Sequence, residues 1–372
     1  MNNNKSRLYT LDYLRGLAAL GIMTYHCMSW AYGLFSNDSF MGKWGVYGVS
    51  IFYMLSGLTL YHVYWERMKP SFSDLTEFYF KRVFRIYPLL WLTILLTVLV
   101  HPENKPSLIS LGLNLTGIFG LIKWDGYIGT GVWSIGNELV FYLFFPLFIF
   151  LAKKSKVAFY LFSAILFATF LYFAFYKLNP GQKLSVHDQW VIYINPLNQV
   201  FLFLSGFLIG YFLTDKKISS ITSTVVFIVA FAAFIFYKPV EDNLSAGINR
   251  MILSLICFAI CIAFYKNKLR FPAIIDSMLG GLGEASYSVY LLHPIVWFSI
   301  EKLLHIFSIE LAPGLKVLLT IGVTLTIGYY NYKYFETLFV RTGRKWFEQL
   351  NLNKHGKTSL SQQPQNEMAN IK

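Results

Sequence analysis

The chain has 372 residues, of which 55% are hydrophobic, 19% aromatic and only 14% charged. A soluble domain carries about a quarter charged residues, so this composition excludes an ordinary soluble protein. The net charge of +13 does not by itself indicate nucleic acid, because the basic residues of membrane proteins collect near anionic lipid headgroups. The apolar residues come in blocks long enough for membrane-spanning helices rather than barrel strands. We therefore expect an all-α integral membrane protein that contacts the lipid bilayer and binds no nucleic acid.

The apolar blocks predict about ten transmembrane helices. In chain order they lie near residues 11–34, 46–64, 84–101, 132–152, 157–176, 196–213, 221–237, 248–265, 285–304 and 313–335. The stretch 107–122 is apolar but short and interrupted by glycines, which is typical of an interfacial or re-entrant piece. Residues 1–345 form the membrane domain in this interpretation, and the polar residues 346–372 form a disordered cytoplasmic tail.

The basic residues predict the orientation of these spans. They are concentrated in the segments that are cytoplasmic if the N-terminus is inside, and every such segment carries at least two of them. Lys5 and Arg7 precede the first apolar block, as in a signal peptide, but Asp12 and Arg15 interrupt the region. We therefore interpret it as the first span of a multi-pass protein of the cytoplasmic membrane, with both termini in the cytoplasm.

Ionisable side chains inside spans are costly and are functional candidates for that reason. The first span contains Asp12, Arg15 and His26, and the fourth contains Glu138. A rise of 1.5 Å per residue places His26 and Glu138 at a common depth, about 21 Å from the cytoplasmic face. The spacing predicts a general base, His26, oriented by Glu138. The alternative is that both are satisfied structural residues.

A basic cluster is predicted at the inner end of the third span. Arg82 and Arg85 are three residues apart and share a helix face, and Arg15 lies at a similar level. Guanidinium groups form forked hydrogen bonds to phosphate, so this cluster suits a nucleotide-bearing substrate. Snorkelling to the headgroups is the alternative for some of these residues, although it explains Arg15 poorly.

His293 lies near the middle of the ninth span, just before Pro294, where a kink can open a cavity. A lone mid-span histidine is structural as often as it is catalytic. The GGLGEAS run before this span follows no predicted strand, so we interpret it as a flexible cytoplasmic turn and not a dinucleotide loop. The three cysteines fall inside apolar segments without the spacing of a disulfide framework or a zinc site, so no metal is expected. They are Cys27, Cys257 and Cys261.

Several stretches in this order resemble the membrane-bound acyltransferase 3 family, whose members O-acylate cell-envelope glycans. They are LDYLRGLAALGIMTYH, SIFYMLSGLTL, FYFKRVFRIYPLLW, WSIGNELVFYLFFP and LGEASYSVYLLHP. The resemblance covers nearly the whole chain. It implies ten spans, an acyl-CoA donor bound from the cytoplasm, and His26 as the catalytic residue with Arg15 as its companion. Arg82 and Arg85 match the family's basic motif.

The chain departs from the family pattern at three points. Glu138 is followed by Leu139, where the family often has a second acidic residue. The closing stretch YFETLFVRTGRKW lacks the usual proline after the glutamate, so Glu336 is carried over only as a supporting residue, alongside Asp12 and His293. Many relatives bear a C-terminal extracytoplasmic esterase-like domain that this sequence does not show. We expect any second transfer step outside to need another protein.

The function expected from these observations is a membrane O-acyltransferase, in the first place an O-acetyltransferase. Its donor is acyl-CoA, above all acetyl-CoA, with no tightly bound cofactor. Its acceptor is a cell-surface glycan or lipid-linked sugar, and its partners belong to envelope biosynthesis. The competing hypotheses are a secondary transporter or glycan flippase, in which the buried charges relay protons, and a non-catalytic membrane subunit. The sequence shows no inverted repeat of the kind transporters carry, which favours the enzyme.

Overall fold

A computed structural model describes residues 8–178, 186–240, 243–268 and 271–360 of the chain. Every regular element in these ranges is helical. The first eight helices are α1 (Tyr9–Tyr32), α2 (Phe40–Tyr64), α3 (Phe72–Val100), α4 (Leu108–Thr116), α5 (Phe119–Ile122), α6 (Val132–Lys154), α7 (Lys156–Tyr172) and α8 (Trp190–Tyr193). The remaining seven are α9 (Pro196–Leu213), α10 (Ser220–Phe236), α11 (Gly247–Lys266), α12 (Ala273–Glu284), α13 (Ser286–Ile306), α14 (Pro313–Tyr330) and α15 (Thr337–Leu360).

The long helices fit a multi-pass membrane protein. Within the described residues, six helical stretches are long and apolar enough to cross a bilayer, and α10 is apolar but shorter. The six are Phe40–Tyr64, Phe72–Val100, Val132–Lys154, Lys156–Lys177, Trp190–Leu213 and Gly247–Lys266. The other predicted spans fall on α1, α10, α13 and α14. The full set of ten spans and the sides of the termini therefore stay predictions.

Glycines allow the closest contacts between helices. A side chain on Gly206 of α9 would begin 1.8 Å from the carbonyl oxygen of Met54 in α2. Gly57 of α2 approaches the backbone of Phe203 in α9 in the same way. Small residues at such crossings let two backbones pack directly against each other, which favours helix association in lipid. The α2–α9 pair is consequently fixed in register next to the cavities described below.

The segment before the ninth predicted span differs from the flexible turn expected there. Gly280, Gly281 and Gly283 belong to α12, a helix of twelve residues. Gly283 packs so closely on α1 that a Cβ atom would lie 2.2 Å from the carbonyl oxygen of Asp12. Gly283 therefore serves helix packing, a tertiary contact that the local sequence does not reveal, whereas a Cβ atom on Gly280 or Gly281 would meet no atom within 4 Å.

The C-terminal helix also extends further than the sequence predicted. α14 continues through a π-helical stretch, Asn331–Glu336, into α15, which runs to Leu360. Helix therefore replaces the first part of the predicted disordered tail, and residues 361–372 lie outside the described residues. The predicted interfacial piece 107–122 contains the two short helices α4 and α5, with Leu108 and Ile109 largely exposed.

Candidate active site

Two histidines from different helices meet in the interior. His26 of α1 and His293 of α13 lie 2.9 Å apart, from Nδ1 of the first to Nε2 of the second. Their rings are stacked with centroids 5.2 Å apart, and Trp30, one turn further along α1, stacks on His26 at 5.3 Å. His293 is completely buried, whereas His26 lines a cavity. The aromatic stack fixes the orientation of the His26 ring.

The hydrogen bonds of this pair assign the tautomers. Nδ1 of His293 lies 3.2 Å from the carbonyl oxygen of Val289, which can only accept, so Nδ1 carries the hydrogen. Nε2 of neutral His293 is then an acceptor, and Nδ1 of His26 must donate to it. The lone pair of His26 therefore resides on Nε2. An imidazole held in this way by a second group has the form of a general base.

Three arginines from two helices line a second cavity, which we call the arginine cavity and which has a volume of about 220 Å³. Arg15 donates to Thr59 of α2 at 3.0 Å and pairs with Asp12 at 3.3 Å. Arg85 forms an ion pair with the buried Glu336 at 2.8 Å. The predicted supporting residues Asp12 and Glu336 thus contact the arginines and position two of the three guanidinium groups.

Arg82 differs from the other two arginines. Its guanidinium lies against the rings of Tyr64, Phe78 and Tyr142 at 5.7–6.0 Å, and its Nε has no hydrogen-bond partner. A buried donor without a partner is costly unless a ligand satisfies it. The cation–π contacts hold the group in place while its Nε donor stays unpaired. Arg82 is therefore the member of the cluster best prepared to bind an anion.

Glu138 does not orient His26, contrary to the sequence prediction. Its carboxylate lines the arginine cavity and accepts hydrogen bonds from Ser56, at 2.7 Å, and from Tyr142. Among the described residues no hydrogen bond joins it to His26, whose partner is His293. The estimate from helix rise gave the depth of Glu138 in the membrane but not the face of α6 on which its side chain lies. The pairing was therefore wrong, although Glu138 does line a cavity of the site.

The cavities follow one another along the helices. A mouth lined by Leu8, Asp12 and Arg67, which we call the N-terminal mouth, shares Arg15 and Arg85 with the arginine cavity. The cavity at His26, the histidine cavity, has a volume of about 490 Å³. It shares two residues, Val49 and Tyr290, with the arginine cavity. At 1.5 Å per residue, α1 advances about 16 Å between Arg15 and His26.

Aromatic side chains dominate the wall of the histidine cavity. They are Tyr25, Trp30, Tyr127, Trp133, Trp190, Tyr193 and Tyr290. Trp190 donates its indole hydrogen to the Tyr127 hydroxyl at 2.9 Å, which fixes both rings. Tyr127 lies in the loop before α6, and burial raises the pKa of its hydroxyl, so the group stays neutral and available for hydrogen bonding. Rigid rings with polar edges favour a ligand that is apolar on one face and hydroxylated at its rim.

The sequence interpretation found all three arginines and both histidines, but it missed their neighbours. Ser56 and Tyr142 hold Glu138, Trp30 stacks on His26, and Val49 and Tyr290 separate the cavities. The i, i+4 spacing of Glu138 and Tyr142 was a signal that could have indicated their contact. The contribution of Val49, an apolar residue among many, had no such signal.

Comparison with known proteins gives several relatives. One relative is a Staphylococcus aureus (strain COL) protein whose name describes it as an O-acetyltransferase by inference. It is 22% identical over 90% of this chain and 58% of its own length. The peptidoglycan O-acetyltransferase OatA of Listeria monocytogenes is 24% identical over 91% of this chain and 57% of its own. An unproven acetyltransferase of Acidianus two-tailed virus is 24% identical over 80% of this chain and 84% of its own length.

This chain therefore spans less than two thirds of the two bacterial relatives, and no solved structure matches it. The sequence model of the family, described as an acyltransferase domain, matches residues 8–332. This range includes every catalytic, donor-binding or supporting residue predicted from the sequence except Glu336. The matched region includes the arginine cavity and both histidines. The chain belongs to the acyltransferase 3 family.

Proposed function

We propose that this protein is a membrane O-acetyltransferase that moves an acetyl group from cytoplasmic acetyl-CoA to a hydroxyl group of an extracytoplasmic glycan or lipid-linked sugar. The observation that carries the proposal is the series of two cavities, one lined by arginines and the next containing His26. Family membership and the O-acetyltransferase names of the relatives support the reaction type. The prevalence of basic residues near the termini supports a cytoplasmic position for the N-terminal mouth and both termini.

The donor binds at the arginine end in this proposal. Its phosphates meet Arg82 and the nearby guanidinium groups of Arg15 and Arg85, which form charge-assisted hydrogen bonds to phosphate oxygens. The long pantetheine arm extends the thioester from there toward His26. Glu138, which already accepts from Ser56 and Tyr142, can also accept from an amide N–H of the arm.

The acceptor binds in the histidine cavity. Its wall combines the indole and phenol rings named above with polar edges, and the C–H faces of sugar rings pack on such surfaces by dispersion. This lining supports a glycan acceptor. The name of the Listeria relative, a peptidoglycan O-acetyltransferase, agrees with an acceptor of this chemical class.

The chemistry needs one base and one acid, and His26 serves as both. Nε2 of His26 takes the proton of the acceptor hydroxyl while the oxygen attacks the thioester carbonyl carbon. The tetrahedral intermediate collapses, the carbon–sulphur bond breaks, and the ester forms. The CoA thiolate takes the proton back from His26. His293 accepts from Nδ1 throughout and stabilises the transient imidazolium next to Trp30.

The proposal is tested with membranes that contain the protein and the host's own glycans, supplied with radiolabelled acetyl-CoA. Wild type should place label in a glycan fraction that mild alkali releases, as expected for an ester. His26→Ala should lower this transfer by at least about 100-fold, the range typical for loss of a general base. The matched control is His305→Ala, because His305 is an exposed histidine in the last turn of α13, about three helical turns beyond His293.

His305→Ala should transfer label at the wild-type rate. Retention of normal transfer by His26→Ala would disprove the assigned role. If wild type transferred label from none of acetyl-, propionyl- and succinyl-CoA at matched expression, the enzyme hypothesis would give way to a transporter or flippase. A stable acetyl group on His26 itself, trapped when no acceptor is present, would replace direct transfer by an acyl-imidazole intermediate.

A further inference from the structure

A further cavity, which we call the His101 cavity, lies beside the histidine cavity and has a volume of about 400 Å³. The two cavities share Tyr127 and Thr130 of the loop before α6. The lining comes from this loop, from the C-terminal end of α3 and the residues after it, and from α13. In the predicted orientation both loops face the extracytoplasmic side, where the acceptor is. Neither His26 nor any of the three arginines lines this cavity, so the proposed reaction leaves it without a ligand.

A low ridge of three residues separates the two cavities. Gly129 lines the His101 cavity, Gly131 lines the histidine cavity, and Thr130 between them lines both. The two glycines have positive φ values, 100° and 85°, which residues with a side chain rarely adopt. A Cβ atom on Gly129 would lie 2.9 Å from Oγ1 of Thr97, and one on Gly131 would lie 3.2 Å from the Tyr290 hydroxyl. Because Thr130 is exposed and its neighbours have no side chains, a chain-like ligand can lie across the ridge.

Aromatic contacts continue from the candidate base into the His101 cavity. Trp30, which stacks on His26, packs against Phe298 of α13 with ring centroids 5.2 Å apart. Phe298 packs edge-on against His101 at 5.0 Å, and both of these rings line the His101 cavity. The C–H faces of sugar rings pack on aromatic surfaces by dispersion. Each cavity therefore offers a ring surface to one unit of a sugar chain.

The polar groups of the His101 cavity suit hydroxyl groups. Nδ1 of His101 lies 3.2 Å from the carboxylate of Glu103, so Nδ1 carries a hydrogen and Nε2 of the neutral ring can accept from a hydroxyl. The exposed side-chain amide of Asn104 offers two donor hydrogens and an acceptor oxygen. Tyr127 accepts from Trp190 and keeps its own hydroxyl hydrogen for a ligand.

We propose that the His101 cavity is a second sugar subsite, so that the acceptor is a glycan of at least two units. One unit presents its hydroxyl to His26, and its neighbour in the same chain lies beyond the ridge. The inference rests on the proposed function, since it assumes that the acceptor sugar occupies the histidine cavity. The hydroxyl-binding groups of His101, Asn104 and Tyr127 favour a sugar over the apolar carrier of a lipid-linked acceptor.

The test supplies radiolabelled acetyl-CoA to permeabilised membranes, in which the donor and added acceptors reach both sides of the protein. The acceptors are fragments of one and two sugar units prepared from the host glycan that wild type labels. Labelled fragments are separated from the polymer by size. Wild type should use the two-unit fragment with a kcat/KM at least about tenfold higher, because each hydrogen bond in the second subsite contributes from a few-fold to about tenfold.

Two variants locate the preference. Asn104→Ala should lower the ratio of kcat/KM for the two-unit and one-unit fragments about fivefold, because only the second unit loses a hydrogen bond. His101→Phe keeps a ring against Phe298 but removes the Nε2 acceptor, and it should lower the ratio in the same way. The matched control is Lys105→Ala, since this exposed neighbour lines none of the cavities described above, and it should leave the ratio within about twofold.

Three results would overturn the subsite and leave the acyltransferase standing. They are equal use of both fragments by wild type, a preference that both variants retain, and equal losses with both fragments in Asn104→Ala and His101→Phe. Label on the lipid-linked polymer but on neither fragment would show recognition of the carrier and would also overturn the subsite. If neither polymer nor fragment received label, the acyltransferase and the subsite would fall together.

Discussion

At the scale of single residues, the central feature is that a histidine, not a carboxylate, orients the candidate base. His293 accepts from Nδ1 of His26 and is itself fixed by the carbonyl oxygen of Val289. Since a neutral imidazole can replace a carboxylate in this position, the arrangement keeps the interior free of a further buried charge, which would be costly in lipid. Both hydrogen bonds are donated in the same direction, from His26 at the cavity to His293 and from His293 to the carbonyl oxygen of Val289.

His293 is accordingly a positioning residue. His293→Ala should lower kcat by at least about tenfold, because Nδ1 of His26 loses its acceptor and the base can adopt the wrong tautomer. His293→Gln offers an amide oxygen in the same place and should recover a measurable part of the loss. The KM for acetyl-CoA should stay within about twofold in both variants. A rise in KM with unchanged kcat, or no difference between Ala and Gln, would refute this role.

Arg82 provides a test of donor recognition. Arg82→Gln should raise the KM for acetyl-CoA by about tenfold, because a charge-assisted hydrogen bond contributes about 1.5–3 kcal/mol. Acetyl-pantetheine, which has no phosphate, should show no such change and is the internal control. The measurement is the ratio of kcat/KM for the two donors in each protein. Equal losses for both donors would mean that Arg82 supports the fold and does not bind phosphate.

At the scale of helices, six of the ten predicted spans coincide with helical stretches of the described residues that are long and apolar enough to cross a membrane, because apolar length is a local property. The boundaries of α6, of α11 and of the helical stretch Lys156–Lys177 agree with the predicted spans to within two residues. α3 begins at Phe72, twelve residues before the predicted span, because the helix continues into the polar segment that carries Arg82. Hydropathy detects the apolar part of a helix and not its polar extension.

The sequence predicted which residues belong to the candidate site but not which of them contact each other. Arg15, Arg82, Arg85, His26 and His293 stand out in the sequence because ionisable groups are rare in spans. Which of them touch depends on helix rotation and on which helices are neighbours. Depth along one helix carries no information about either property. This is why Glu138 was assigned to His26, whereas it contacts Ser56 and Tyr142.

The glycine contact between α2 and α9 gives a prediction at this scale. Gly206→Ala should lower the midpoint of thermal unfolding in detergent by several degrees, because its Cβ would overlap the carbonyl oxygen of Met54 and force the helices apart. Gly322→Ala in α14 is the matched control, since its Cβ would meet no atom within 4 Å. Equal midpoints for the two variants would contradict the close packing of this pair.

At the scale of the whole molecule, the proposed mechanism depends on a series of adjoining cavities. The N-terminal mouth adjoins the arginine cavity through Arg15 and Arg85, and the arginine cavity adjoins the histidine cavity through Val49 and Tyr290. In the proposed mechanism, the charged donor remains on one side of the membrane while its acyl group reaches the base. Only the small acyl group, and not the CoA moiety, has to cross the low-dielectric interior.

The measurement that tests this claim most directly is the sidedness of transfer in sealed vesicles. Radiolabelled acetyl-CoA, which does not cross the membrane, is added outside inverted and right-side-out vesicles that contain equal amounts of the protein. We predict ester-linked label on glycan in inverted vesicles only, and in right-side-out vesicles only after permeabilisation, with none for His26→Ala in either. Transfer in intact right-side-out vesicles would contradict the account, because the donor would then reach His26 without passing the arginines.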